Sequence, residues 1–105
     1  MLPTPTNREE LNDLLVETLG NNHVYFDPPE SIKLKYPAIV YHKNHISTRY
    51  AGGIAYSNIH TYTVTLIDEY PDSEVITKLL NLPYCKHNQS YQSNGMYHDV
   101  FTIKF

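Results

Sequence analysis

Residues 59–74 read IHTYTVTLIDEYPDSE, which is the strongest strand pattern in the chain followed directly by a helix start. Thr, Tyr and Val are bulky or branched at Cβ and therefore favour the pleated surface of a sheet. Tyr62, Val64 and Leu66 share one face of the predicted strand, and three threonines share the other. The stretch predicts a long central strand with one face on a hydrophobic core.

The residues after this strand, from Pro71 to Glu74, predict the beginning of a helix. Proline suits the first turn because its missing N–H would find no partner there. Asp72, Ser73 and Glu74 bring oxygens and negative charge to the helix N-terminus, where the helix dipole favours them. A long strand that leads into a short helix is thus the predicted anchor of the fold.

Patterns on either side of this anchor predict the other elements. Leucines at helical spacing indicate an amphipathic helix over residues 7–19, which Gly20 ends. The Asn94-Gly95 dipeptide predicts a hairpin turn because both residues tolerate positive φ. Further strands are predicted at residues 24–26, 38–43, 84–91 and 96–105. This order indicates an α+β fold, with a mainly antiparallel sheet of four to five strands and two helices packed on one side.

The length of 105 residues predicts one domain over residues 1–105, with residues 1–6 as a flexible N-terminal arm. Cys85 is the single cysteine, so no internal disulfide forms. We interpret Cys85 as a small, half-buried residue rather than a nucleophile. No apolar run reaches the roughly 18 residues of a membrane span, and residues 1–6 lack signal-peptide features, so we expect a protein made in the cytoplasm. The net charge of −3 argues against tight nucleic-acid binding.

A long hairpin that protrudes from the sheet is predicted at about residues 44–57, with Gly52-Gly53 at its tip. Four of its side chains have no predicted core to cover them: Arg49, Tyr50, Ile54 and Tyr56. Apolar and aromatic groups on an exposed loop point toward a partner surface, so we place these four at an interface. The alternative is that the hairpin folds back onto its own domain.

Histidines offer one candidate for acid–base chemistry. His60 and His98 both lie on predicted strands, and a pair of this kind with Asp99 nearby is a possible acid–base group. No His or Cys spacing matches a zinc site, and no glycine-rich loop matches a phosphate site. Surface or cross-strand histidines explain the pattern better, so we predict no catalytic, cofactor or metal site and no enzyme.

After the capped first helix come the motifs VYF at 24–26, YPAIVY at 36–41, the hairpin tip at 50–51, YTVTLID at 62–68, PDSE at 71–74, LPYC at 82–85 and HDVFT at 98–102. Taken together, these motifs resemble small tail-completion proteins of long-tailed bacteriophages and prophages. That family is similar to the tail terminator and tail-to-head joining proteins. The resemblance covers nearly the whole chain and lies in structural rather than catalytic motifs.

This resemblance implies a non-enzymatic virion protein of the tail-neck region, made in the host cytoplasm and without membrane contact. Subunits of this class form a ring, implied to be a hexamer, on the last ring of the major tail tube protein. The ring stops tube growth and meets the head-completion or connector protein, and DNA passes through its mildly acidic lumen without specific binding. The exposed hairpin residues then lie at a subunit or tube interface, and replacing Tyr50 and Tyr56 with Ser is expected to weaken assembly of a folded monomer.

Two other functions are compatible with the residues. One is a small His-dependent hydrolase, which requires His60, His98 and Asp99 to converge in one pocket. The other is a monomeric α+β module that binds a ligand or peptide, using a sheet edge or a concave apolar pocket. The second predicts a stable monomer that does not self-assemble.

Overall fold

A computed structural model describes residues 7–105, apart from the side chains of Asn7 and Tyr56. The predicted flexible arm at residues 1–6 lies outside the described residues. In chain order the elements are α1 (Asn7–Leu19), β1 (Val24–Phe26), β2 (Ala38–Ala51), β3 (Ile54–Asp68), α2 (Glu74–Leu80), β4 (Cys85–Ser93) and β5 (Met96–Lys104).

The five strands form one sheet in the order β1-β2-β3-β5-β4. β1 pairs parallel with β2, and the other neighbours pair antiparallel. β2 with β3, and β4 with β5, are joined by two-residue connections, which is why each pair lies side by side in the sheet. The predicted α+β class with a mainly antiparallel sheet is confirmed.

The hydrophobic core lies between one face of the sheet and the two helices. Tyr62, Val64 and Leu66 of β3 are fully buried there, as their alternation predicts. Leu15 of α1 and Leu79 of α2 are buried in the same cluster, so both helices cover one face. Burying such a side chain contributes roughly 1.5–3 kcal/mol. We call this the helix-covered face of the sheet.

Tyr41 attaches α1 to the centre of the sheet. Its ring is buried and lies 5.1 Å from the ring of Phe26 and 6.2 Å from that of Tyr62, centroid to centroid. Its hydroxyl donates a hydrogen bond of 2.7 Å to Oδ1 of Asn12 on α1. Burial raises the pKa of Tyr41, an effect that nearby Arg8 partly offsets. The hydroxyl therefore stays a neutral donor at physiological pH.

The start of α2 differs from the sequence prediction. Pro71 and Asp72 precede the helix, and Ser73 is its N-cap, with Oγ accepting a 3.2 Å hydrogen bond from the N–H of Val75. The chain first turns after β3, where the N–H of Tyr70 donates to Oδ1 of Asp68 at 3.3 Å. This turn uses the segment around Pro71, so the helix begins later and the serine rather than the proline defines its start.

Candidate protein-interaction site

The outer halves of β2 and β3 form a two-stranded ribbon, residues 45–60, which we call the hairpin arm. Among the described strands, β5 pairs with β3 from Thr61 onward, so the ribbon has no third strand. At about 3.4 Å per residue, the tip at Ile54 lies roughly 20 Å beyond His60. The radius of gyration is 15.2 Å, against about 13 Å for a compact domain of this length. The hairpin arm is therefore a projection from the body.

Local backbone geometry explains why the hairpin arm is so long and regular. Gly52 and Gly53 have φ of 59° and 79°, which suits a two-residue turn that continues the ladder. The register shifts between Lys43 and His45 and again between Arg49 and Tyr50. Each bulge leaves one residue unpaired and increases the twist without ending the ladder. The strands consequently continue through residues 44–57, where the sequence indicated a long loop with short strands.

The tip exposes three of the four predicted interface side chains. Tyr50 and Ile54 are 66% and 73% exposed, and Arg49 is exposed as well. Tyr56 lies in β3 at the second bulge, and its side chain lies outside the described residues. The structure thus brings Arg49, Tyr50 and Ile54 to one end of the molecule, and the hairpin arm does not fold back onto the body. Large apolar side chains presented on a projection are typical of a partner contact.

Charge is divided unevenly along the chain. Residues 31–67, which include the whole hairpin arm, contain four Lys or Arg and no Asp or Glu. The rest of the chain contains four Lys or Arg and eleven Asp or Glu. Four of these acids lie in residues 68–74, beyond the end of β3 that is opposite the tip. The hairpin arm itself carries one formal positive charge, Arg49, and no acid, whereas α1 and the residues beyond the far end of β3 are negative.

A groove lies on the body at the root of the hairpin arm, formed by two adjoining hollows of about 390 and 450 Å³. We call it the Tyr84 groove, since Tyr84 lines both hollows together with Lys104 and Phe105. Asn58 and Ile59 complete the first hollow. The second hollow is completed by Leu14, Leu82, Pro83 and Ile103. The groove is largely apolar, and its walls come from α1, β3, β5 and the α2–β4 connection.

Tyr84 itself has an unusual backbone and exposure. Its φ is +57°, a left-handed conformation that is rare for an aromatic residue, and its side chain is 80% exposed. The carbonyl oxygen of Tyr84 accepts a 3.1 Å hydrogen bond from the N–H of Lys104, which holds this conformation against β5. Such strain is of order 1–3 kcal/mol and is concentrated at functional sites. Tyr84 was not among the predicted interface residues; the available signal was an aromatic residue directly after Leu82-Pro83.

The structure does not bring the predicted acid–base residues together. His98 and Asp99 are consecutive on β5, so their side chains point to opposite faces of the sheet. Asp99 is opposite Leu66, on the helix-covered face. His60 lies six residues before Leu66 on β3, which places it about 20 Å away. The pocket that a hydrolase built on His60, His98 and Asp99 requires is therefore not formed.

A different trio, His87, Ser90 and Asp99, does converge. Nε2 of His87 lies 3.0 Å from Oγ of Ser90 and 3.1 Å from Oδ1 of Asp99. The Ser90 hydroxyl also donates directly to Oδ1 of Asp99. A Ser-His-Asp relay needs one ring nitrogen on the carboxylate and the other on the hydroxyl. Here the same nitrogen faces both groups, so the arrangement serves to satisfy the polar atoms of Asp99, which is 8% exposed.

Sequence reasoning missed this trio because of a bulge. His87 and Ser90 are three residues apart on β4, which in a regular strand places them on opposite faces. The register shift between His87 and Gln89 returns Ser90 to the helix-covered face. Bulges of this kind leave no reliable pattern in a single sequence.

Other site types find little support in the described residues. No group of three His, Cys, Asp or Glu side chains within residues 7–105 is arranged to hold a metal ion. Over the same residues, no helix is both long enough and apolar enough to cross a membrane. Nδ1 of His60, at the root of the hairpin arm, is buried and finds no hydrogen-bond partner among these residues.

Cys85 is half-buried, as its sequence context predicted, and burial raises the pKa of its thiol. The thiolate is the reactive form, so a raised pKa lowers the fraction that reacts near neutral pH. We expect a disulfide reagent at pH 7.5 to modify the folded chain several-fold more slowly than the chain unfolded in guanidinium chloride. Equal rates in the two states would contradict this expectation.

Comparison with protein-family models finds no match for this chain, and no curated protein matches its sequence.

Proposed function

We propose that this chain is a ring-forming structural subunit of the phage tail-completion class. The observation that carries the proposal is the hairpin arm, which presents Arg49, Tyr50 and Ile54 away from the body. A subunit with a projecting element at one end and a groove on its body suits head-to-tail contacts. Such contacts are heterologous, and they form a closed ring when the rotation between subunits closes.

The phage assignment rests on the sequence resemblance, and the charge distribution supports it. In the proposed assembly the ring caps the major tail tube, stops its growth and offers its other face to the head-completion or connector protein. The acidic residues outside the hairpin arm suit a lumen that DNA crosses without binding, since like charges prevent phosphate contacts. Regulation of tube length needs binding surfaces rather than a reactive centre.

The test is the native mass of the purified chain over a wide concentration range, with negative-stain images of the large species. The same measurement is then made after adding polymerised tail-tube protein from the phage or prophage that encodes the chain. We expect rings of about six subunits, free or at tube ends, and tubes that stop growing when capped. A monomer in both experiments, with tubes that elongate normally, would overturn the proposal and favour the monomeric binding module.

A further inference from the structure

We infer that the Tyr84 groove is the receptor for the tip of the hairpin arm of a second copy of this chain. The inference rests on the proposed function and specifies the contact by which one subunit joins the next. Four observations carry it: the reach of the hairpin arm, the apolar match, the charges and the conformation of Tyr84.

The reach of the hairpin arm excludes its own groove as the docking site. The groove lies at the root, where Ile59 and Asn58 form part of its wall. The tip lies about 20 Å from His60 along a continuous two-stranded ladder. A ribbon that is paired up to its tip, apart from the bulge at Tyr56, does not bend back sharply without losing its ladder hydrogen bonds. A tip that occupies the Tyr84 groove must therefore belong to another molecule.

The apolar surfaces of the tip and the groove match in character. Tyr50 and Ile54 expose most of their side chains to solvent. The larger hollow of the groove is lined by Leu14, Leu82 and Ile103, together with two aromatic residues, Tyr84 and Phe105. Its volume of about 450 Å³ lies in the range of roughly 300–1,000 Å³ typical of binding pockets. Aromatic and aliphatic anchors that fill such hollows carry most of the binding free energy in protein interfaces.

The charges around the groove complement those of the tip. On α1, Glu10 and Glu17 are exposed and lie four residues before and three residues after Leu14, so they neighbour it on the helix surface. The tip carries Arg49, and the whole hairpin arm lacks acidic residues. Lys104 lines both hollows and is the cation of the groove itself. In the proposed contact Arg49 pairs with the acids of α1 and avoids Lys104, while the apolar anchors cover Tyr84.

The conformation of Tyr84 provides the fourth observation. An aromatic residue that lines both hollows is held in the left-handed region, and it remains largely exposed. Glycine would adopt this backbone without strain. Burial of the Tyr84 ring under an incoming tip explains why an aromatic residue stands here, because the contact offsets the free energy of its backbone strain.

A cross-linking experiment tests the contact directly on the full chain in which Cys85→Ser removes the native thiol. One variant carries Ala55→Cys at the tip and Lys104→Cys in the groove, so Tyr50, Ile54 and Tyr84 all remain. The control carries Ala55→Cys with Tyr70→Cys, because Tyr70 is 70% exposed at the end of the sheet opposite the tip. After assembly and treatment with a short bis-maleimide, we expect a ladder of covalent multimers from the first variant and monomers from the control. Equal ladders, or no ladder from a protein that assembles, would overturn the inference.

A mixing experiment separates failure of this contact from failure of the proposed function. The tip variant combines Tyr50→Ser with Ile54→Ser, and the groove variant is Tyr84→Gly, which keeps the left-handed backbone. We expect each variant alone to need a concentration at least about tenfold higher for assembly, and the mixture to form dimers that do not extend. If Tyr84→Gly assembles like the parent chain while the tip variant does not, the tip docks elsewhere and the ring proposal survives. A parent chain that stays monomeric even with tail tubes overturns both.

Discussion

With Tyr50→Ser and Ile54→Ser combined, we expect the chain to remain folded but to lose self-assembly at concentrations where the parent chain forms rings. Both side chains project from the tip and contribute nothing to the core, so their removal leaves the packing of the body intact. Burying a large apolar side chain is worth roughly 1.5–3 kcal/mol. Loss of two anchors at each contact should therefore weaken subunit affinity on the order of 10²- to 10⁴-fold.

The measurement is the native mass as a function of concentration, accompanied by circular dichroism and chemical unfolding of the same samples. Tyr70→Ser is the matched control, because it removes a comparably exposed aromatic at the other end of the molecule. The control should assemble like the parent chain. If the control and the tip variant lose assembly equally, exposed aromatics act non-specifically and the hairpin arm has no particular role. Unchanged assembly of the tip variant would remove the interface assignment altogether.

The second large effect is expected in the core. Phe101→Ala should lower the free energy of unfolding by about 3–5 kcal/mol, since the change deletes a buried ring and leaves a cavity. Phe101 is fully buried opposite Val64, and the ring of His87 packs against it edge-on, with centroids 5.2 Å apart. Domains of this size have stabilities of about 5–15 kcal/mol, so a substantial part of the total is lost.

Urea unfolding of the monomeric protein, followed by circular dichroism, measures this effect. Phe105→Ala is the control for the chemistry of the substitution, because Phe105 is only partly buried at the edge of the core. We expect a clearly smaller loss for Phe105→Ala, since less apolar surface leaves water there on folding. A loss below about 1 kcal/mol for Phe101→Ala would indicate that the core repacks or is looser than the structure shows.

Local sequence patterns correctly predicted helices and strands outside the hairpin arm. Alternation in residues 59–67 predicted which side chains of β3 face the core, and Tyr62 and Leu66 are buried as expected. Leucines at helical spacing predicted α1 with its observed bounds, Asn7–Leu19. Both patterns are local. The same face of a helix recurs at each turn, and the same face of a strand recurs at every second residue, so a few residues show which side is buried.

The length of the hairpin arm was harder to predict. Residues 45–51 mix polar and apolar side chains, and two bulges break the period of two. Both faces of the ribbon are in contact with water, so neither face had to be apolar. The alternation of apolar and polar residues that marks a half-buried strand was therefore absent. The expectation that Arg49, Tyr50 and Ile54 lack a covering core was nevertheless confirmed by their exposure. Whether these side chains bind a second copy stays a prediction.

Sequence alone determined the class of the fold, the order of its elements and the exposed tip, because each of these follows from turns, caps and periodicity within short segments. Tertiary structure alone decided the Tyr84 groove, whose walls come from Leu14, Ile59, Tyr84 and Phe105, residues distant in the chain. It also separated His60 from Asp99 and placed His87 beside that carboxylate instead. The physical reason is that the register and bulges of a sheet depend on pairing between distant strands, and a single sequence carries almost no local record of it.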